Sequence, residues 1–350
     1  MTRLLVTGGA GFIGSRICAL ARERGWTVRV LDALDPGVHA SVPELPEGVE
    51  LVRGSVTDPA SVRAALAAVD VVSHQAAKVG LGVDFGDAPD YVATNVGGTA
   101  VLLAEMQACG VGSLVLASSM VVYGEGAYRS PGGRIVRPAP RQVADLEAGM
   151  FDPRDPGTGE PLTPALVDED DAVDPRNVYA TSKLAQEHLA ANWARESGAA
   201  AIALRYHNVY GPGMPRDTPY AGVASIFRSA LARGEAPQVF EDGRQRRSFI
   251  HVDDIAAANI AAVDAVLSDD AAAFRAFNVG SAHVHTIGDL AAALSDAVDG
   301  PPPEVTGRFR LGDVRHITAS SERIREQLGW SEQHEFAAGM REFAHARLRD

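Results

Sequence analysis

The sequence predicts an α/β protein with a doubly wound parallel sheet and a smaller, mixed α/β unit on its carboxyl side. Three observations carry this. Short apolar runs alternate with Ala/Leu-rich helical stretches through the first half of the chain, the rhythm of successive βαβ units. The first apolar run leads directly into a glycine-rich turn and a helix-like segment. The chain has 350 residues, 46% of them hydrophobic, ample for one large α/β unit or two domains.

Taken in order, Leu4–Thr7, Thr27–Leu31, Glu50–Val52, Val69–Ser73, Ser113–Ser118 and Ala201–Leu204 read as buried strands. Helices are expected near Gly11–Arg24, Pro59–Ala68, Tyr91–Cys109 and Asn177–Ser197. Right-handed crossovers then place a binding crevice at the carboxyl ends of the strands. Further on, Pro212–Pro219 reads as a loop, Val223–Gly234 as a helix, and Gln238–Phe240 and Ser248–His251 as short strands. An Ala-rich helix at Val252–Leu267, a strand at Phe277–Val279 and a helix at Ile287–Val298 follow. Between Ala127 and Arg176, a Pro-, Gly-, Asp- and Arg-rich insert interrupts the rhythm. So long a loop is normally functional or mobile; the plainer reading is a surface loop particular to this lineage.

Acidic residues outnumber basic ones, 45 to 32, for a formal net charge of −13. That field opposes a polyanion, so nucleic acid is not expected as a partner. No apolar run is long enough to span a membrane, and Met1-Thr2-Arg3 leads straight into the first strand without a secretory signal. Cys18 and Cys109 are too few for a disulfide framework and sit in helix-like apolar stretches, so both are expected as small buried side chains. A cytoplasmic, metal-free protein is the expectation.

Gly8, Gly11 and Gly14 form a Gly-x-x-Gly-x-x-Gly turn between the first strand and first helix. Glycine allows the tight turn, the close approach of a pyrophosphate and the packing of helix on strand. The helix start adds free NH groups and a partial positive charge. Asp32 ends the second strand, where a carboxylate accepts hydrogen bonds from adenosine ribose hydroxyls and repels a 2′-phosphate. No arginine follows in Leu31-Asp32-Ala33-Leu34-Asp35, so NAD is expected over NADP.

Tyr179 and Lys183 are four residues apart on a predicted helix, which puts the phenol and the ammonium on one face. A phenol with a pKa near 10 is a poor base at neutral pH; the nearby cation is expected to lower that value. Ser119 ends the Leu116–Ser119 strand on the same rim, where its hydroxyl could hold a substrate oxygen.

With these residues in view, the chain resembles the extended short-chain dehydrogenases/reductases, the NAD-dependent epimerase/dehydratase family that acts on nucleotide sugars. The likeness runs through TGGAGFIGS, HQAA at 74–77, TNVGGT at 94–99, ASSMVVYG, YATSK, LRYHNVYGP at 204–212, RRSFIHVDD at 246–254 and RLGD at 310–313. It implies Ser119, Tyr179 and Lys183 as the catalytic triad. For NAD it implies Gly8, Gly11, Phe12, Ile13, Gly14 and Asp32, then Ser55 and Val56, then Gln75, Ala76 and Ala77. Asn95, Ser118, Tyr179, Lys183, Tyr206, Asn208 and Val209 complete that set. For the sugar nucleotide it implies Ser119, Met120, Tyr179, Asn208, Arg247, Arg310 and Asp313. The family usually has Gly-Asp after the third strand. Gly54-Ser55 stands here, with Ser55 a weaker adenine contact and Asp58 out of register to replace it. The resemblance also implies a Rossmann domain at 1–206 and 244–275, carrying the insert at 127–176. A nucleotide-sugar domain follows from 207–243 and 276–350, and a homodimer joined through the Tyr179 helix by Leu184, His188 and Ala191.

The reaction follows from what is missing. Dehydratases of the family place an Asp-Glu pair after the catalytic Ser/Thr, where Met120 and Val121 stand; its decarboxylases carry Glu where Val121 is. Neither side chain transfers protons, so a 4-epimerase acting on a dTDP- or UDP-hexose is the expectation. The insert resembles that of the dTDP-L-rhamnose 4-epimerase-like subgroup, without its paired cysteines: Asp152-Pro153-Arg154-Asp155-Pro156 takes their place. A UDP-glucose, UDP-galactose or UDP-glucuronate 4-epimerase and a 4-ketoreductase are the alternatives, ahead of a 4,6-dehydratase or a non-catalytic NAD sensor.

Overall fold

A computed structural model describes residues 1–350 apart from 40, 42, 81–84, 217–221, 269, 270, 272 and 350. The central sheet comprises β1 (Arg3–Thr7), β2 (Thr27–Asp32), β3 (Val49–Arg53), β4 (Val71–His74), β5 (Ser113–Ser119), β6 (Ala200–Tyr206) and β7 (Phe274–Val279). All seven are parallel, in the order β7-β6-β5-β4-β1-β2-β3. The order reverses between β1 and β4, which opens the crevice outside their carboxyl ends.

The period of two along each strand builds both halves of the core. Leu4 and Val6 of β1 face the side covered by α1 (Phe12–Glu23), with Ile17 and Cys18. Leu5 faces the other side, covered by α2 (Gly98–Cys109) and α3 (Val178–Ser197), with Leu102, Met106 and Trp193. α4 (Val252–Val266) completes the first face through Ile255 and Val263. The second unit has its own core, where Phe227, Leu290 and Phe343 meet from three helices.

Several expectations need correction. β7 begins at Phe274 and lies wholly in the main sheet, so the first unit runs through Val279 and the boundary expected at 275 would cut a strand. Cys109, the last residue of α2, is exposed; only Cys18 is buried, and burial pushes its thiol up to about 12. The helix expected from Tyr91 starts at Ala88 and passes through a π-helical stretch, Val92–Gly97, before α2. The insert is no plain surface loop. It forms an antiparallel three-stranded sheet from Ala127–Arg129, Ile135–Val136 and Thr163–Ala165, and Val167 bridges to Ala319 of the second unit. Of the loop expected at Pro212–Pro219, Pro215 bridges to Arg349, and residues 217–219 lie outside the described residues. Among the described residues no helix is long and apolar enough to cross a membrane.

Candidate active site

The glycine turn is shaped by close approach. Gly8 has φ +66°, and a Cβ there would lie 2.8 Å from the Ala76 backbone. A Cβ on Gly14 would meet the Gly8 carbonyl oxygen at 2.3 Å. Helix α1 starts at Gly11 without a capping side chain, so its first amides are open to an anion. Phe12 and Ile13 offer those amides while their side chains pack into two different cores. An uncapped helix start behind a turn that tolerates no side chain fits a dinucleotide pyrophosphate.

Asp32 is 8% exposed at the end of β2. Its carboxylate accepts the amides of Ala10 at 3.0 Å and Leu34 at 2.9 Å, and His39 Nε2 lies 3.6 Å away. Although no arginine follows Asp32 in sequence, Arg349 comes within its electrostatic range in space. The Arg349 guanidinium donates to the Ala10 carbonyl oxygen and to His39 Nδ1, the latter at 3.2 Å. Asp32 is thus flanked by a cation that local sequence does not reveal.

Tyr179 and Lys183 lie in the first turns of α3, whose start is capped by Asn177 accepting the Ala180 amide at 2.8 Å. Ser119, at the end of β5, lies close enough to the Tyr179 phenol to favour its ionised form. Lys183 is buried and donates to the Ala117 carbonyl oxygen at 2.9 Å. The three residues are therefore brought together as expected, but their titration differs from expectation. Burial pushes the phenol up to about 12, with the nearby Ser119 hydroxyl pulling the other way. Burial lowers the Lys183 ammonium to about 7, opposed by Glu187. Desolvation sets both directions, because it penalises the phenolate and the ammonium alike.

Behind this group lies a buried polar network. Glu187 takes a bidentate pair from Arg205, at 3.0 and 2.8 Å, and accepts the Ser118 hydroxyl. Arg205 also donates to the Tyr123 hydroxyl at 2.8 Å, which in turn donates to Asn278. His74 bridges Thr7 and Thr99 hydroxyls at 2.7 and 2.9 Å, and burial lowers it to about 3, so it is a neutral link.

This network revises part of the expected cofactor set. Asn95 is fully buried; its amide holds both backbone groups of Lys78 and the Ser182 hydroxyl, so it supports the site from behind. The side chain of Ser118 turns to Glu187, away from the crevice. Gln75 ties Ser73 and Asn259 to the Tyr206 hydroxyl, leaving Tyr206 and Ala76–Ala77 only backbone to offer. Val56 is 5% exposed and packs on Gly98. Ser55 spends its hydroxyl on Thr57 at 2.8 Å, and Asp58 caps the helix Pro59–Ala65.

On the other wall, Asn208 Oδ1 is buried without a protein partner, the mark of an atom facing a ligand or water; neighbouring Val209 pairs with Ile250. Both ring nitrogens of His207 are orphaned as well. Arg247 donates to the carbonyl oxygens of Arg246, Val314 and Arg315 at 2.8, 2.8 and 2.9 Å, so it anchors the 313–315 segment. Arg310 is exposed and lies over the Phe240 ring at 5.2 Å. Burial raises the Asp313 carboxyl, and Met120 packs beside Val122. Arg141 and Arg315 stand behind this wall, and Arg349 beside Ala10 and His39; no local motif announces them.

Among the described residues, His251, Asp253 and His334 could gather around a metal ion. Arg16 already takes both oxygens of Asp253, at 2.5 and 2.7 Å. The two imidazoles stack at 4.1 Å, which aims their lone pairs side by side, and no metal is assigned there.

Comparison with known proteins agrees with this geometry. The NAD dependent epimerase/dehydratase family matches residues 4–143 and 155–280. The chain is 34% identical over 347 residues to dTDP-L-rhamnose 4-epimerase of Burkholderia thailandensis, covering 97% of this chain and 93% of that protein. Among solved structures, UDP-glucose 4-epimerase of Thermotoga maritima with UDP-glucose superposes with a TM-score of 0.78 at 27% identity, covering 98% and 97% of the two chains. The Thermus thermophilus UDP-glucose 4-epimerase complex with NAD gives 0.74 at 28% identity, with 98% of each chain covered.

Proposed function

Since the chain belongs to the NAD-dependent epimerase/dehydratase family, we propose that it is a nucleotide-sugar 4-epimerase using NAD. The observation that carries this is Ser119 set beside the Tyr179 phenol, with Lys183 anchored to the Ala117 carbonyl oxygen of the same strand, and Met120 and Val121 in the positions where a dehydratase needs proton-transferring groups. Tyr179 takes the proton from the carbon-4 hydroxyl and returns it after the sugar turns over. Ser119 holds the same oxygen through both half-reactions. Lys183 holds the nicotinamide ribose, and Gly11 with the first amides of α1 holds the pyrophosphate. Bound NAD supplies the hydride acceptor and a positive ring, the influence that brings the buried phenol toward neutral pH.

The likeness to dTDP-L-rhamnose 4-epimerase makes dTDP-6-deoxyhexoses the first substrates to test, with UDP-hexoses next. Residues 207–243 and 280–350, with Asn208, Arg247, Arg310 and Asp313, supply the proposed nucleotide-sugar side. A homodimer through the outer face of α3, and a cytoplasmic location suited to two unpaired cysteines, complete the proposal.

The test is a panel of nucleotide sugars labelled with deuterium at carbon 4. The expected product is the 4-epimer with its label retained. A 4-keto-6-deoxy product, or label lost to solvent, overturns the reading.

A further inference from the structure

We propose that the insert is part of the substrate site, and that Arg141 is the positioning residue through which it acts; this rests on the function proposed above. Arg141 is a buried side chain of the insert. It donates to Glu241 Oε1 at 2.7 Å and to the backbone oxygen of Asp313 at 2.6 Å. Asp313 is a proposed substrate residue, so the insert grips the segment that presents it.

A second grip lies two residues on. Arg315 is fully buried. It donates to Asp152 of the insert at 2.8 Å, to Glu241 at 2.9 Å, and to Asp242 through two bonds of 2.7 and 2.9 Å. The Arg315 amide donates to Glu125 at 2.6 Å, and His316 Nε2 meets Asp152 at 2.9 Å. Arg247 holds Val314 and Arg315 from the opposite side. Glu241 joins the two grips, because one oxygen serves Arg141 and the other Arg315.

The 313–316 segment therefore takes its position from two parts of the chain at once. Removing one member leaves a buried charge without its partner, so the segment shifts as a unit. A fork of two bonds from one planar guanidinium fixes direction as well as distance, which an ammonium does not. The insert thus sets where Asp313 meets the nucleotide sugar, while the Ser119–Tyr179–Lys183 group and the glycine turn lie outside the network.

The test compares Arg141→Met, Arg141→Lys and Asp152→Asn in the NAD-loaded protein. Arg141→Met is expected to raise KM for the nucleotide sugar at least tenfold, with kcat within threefold and NAD content unchanged. Arg141→Lys keeps the Glu241 pair only and is expected to recover part of that loss. Asp152→Asn, at a half-exposed position, is expected to raise KM less and covers the case in which Arg141→Met does not fold. An unchanged KM in Arg141→Lys and Asp152→Asn, or kcat falling in step with thermal stability, overturns the proposal. Calorimetric affinity for dTDP and UDP reads the same effect in a wild type that turns over no nucleotide sugar, so the two proposals fail separately.

Discussion

Lys183 places its ammonium nitrogen 2.9 Å from the carbonyl oxygen of Ala117, two residues before Ser119 on the same strand. The bond ties the first turns of α3 to the end of β5, so the phenol and the serine hydroxyl are registered by backbone. Its cost is a buried ammonium, and that cost has a pH signature.

Burial lowers Lys183 from 10.5 to about 7. Between those values the unfolded chain binds the proton and the folded chain does not, so folding stability rises with pH across that window. In cofactor-free protein, wild type is expected to gain stability relative to Lys183→Met as pH rises from neutrality toward 10. Denaturant midpoints at several pH values check this; a constant difference between the two proteins counts against it.

Tyr179→Phe removes the proton acceptor and leaves the ring. Turnover is expected to fall by about 10² to 10⁴, with affinity for the sugar nucleotide little changed. Ser119→Ala removes one hydrogen bond and is expected to lose less. Steady-state kinetics together with binding by calorimetry separate the two effects.

Cofactor choice turns on Asp32 and its neighbours. The carboxylate is expected to make NAD bind more tightly than NADP, and Asp32→Asn to narrow the difference. Arg349 offsets part of the repulsion of a 2′-phosphate, so Arg349→Met is expected to widen it. Dissociation constants for both cofactors decide the matter, and equal affinities in wild type would refute the role of Asp32.

Glu187→Ala strands the Arg205 guanidinium in a buried site, and breaking such a pair costs about 3 to 5 kcal/mol. Equilibrium unfolding is expected to show a loss of that order, and a loss below about 1 kcal/mol would mean that water reaches the pair.

The proposed dimer rests on the outer face of α3. Leu184 packs within the protomer and His188 is exposed, so the free part of that face is narrower than its residues suggested. Sedimentation at micromolar concentration is expected to show a dimer; a monomer rules it out.

The central sheet was legible because each strand is a short apolar run bounded by turn residues, and the glycine turn because three glycines sit between strand and helix. The Tyr179–Lys183 pair was legible because its spacing is local, and Ser119 because it closes an apolar run. The direction of the Ser118 side chain, toward Glu187, was signalled in the sequence. Neighbours on a strand face opposite sides, so Ser118 and Ser119 cannot both line the crevice. Asn95 was also placed too near the cofactor, since a motif gives a position and not the direction of a side chain. Arg141, Arg315 and Arg349 could not be found in this way. Arg141 pairs with Glu241 100 positions away, Arg315 with Asp242 and Glu241 at 73 and 74, and Arg349 reaches Ala10 at 339; only the fold brings such partners together.

The order of the strands has a consequence for how the chain matures. β6 ends at Tyr206, yet its outer neighbour β7 does not begin until Phe274. A growing chain therefore carries β6, whose seven residues are all buried in the finished protein, as an open edge while the intervening segments are made. Parallel pairing across such a separation forms slowly, and an apolar edge left open is a template for self-association. The vulnerable interval in biosynthesis ends when β7 docks, well after the glycine turn and the helix that carries Tyr179 and Lys183 have been synthesised.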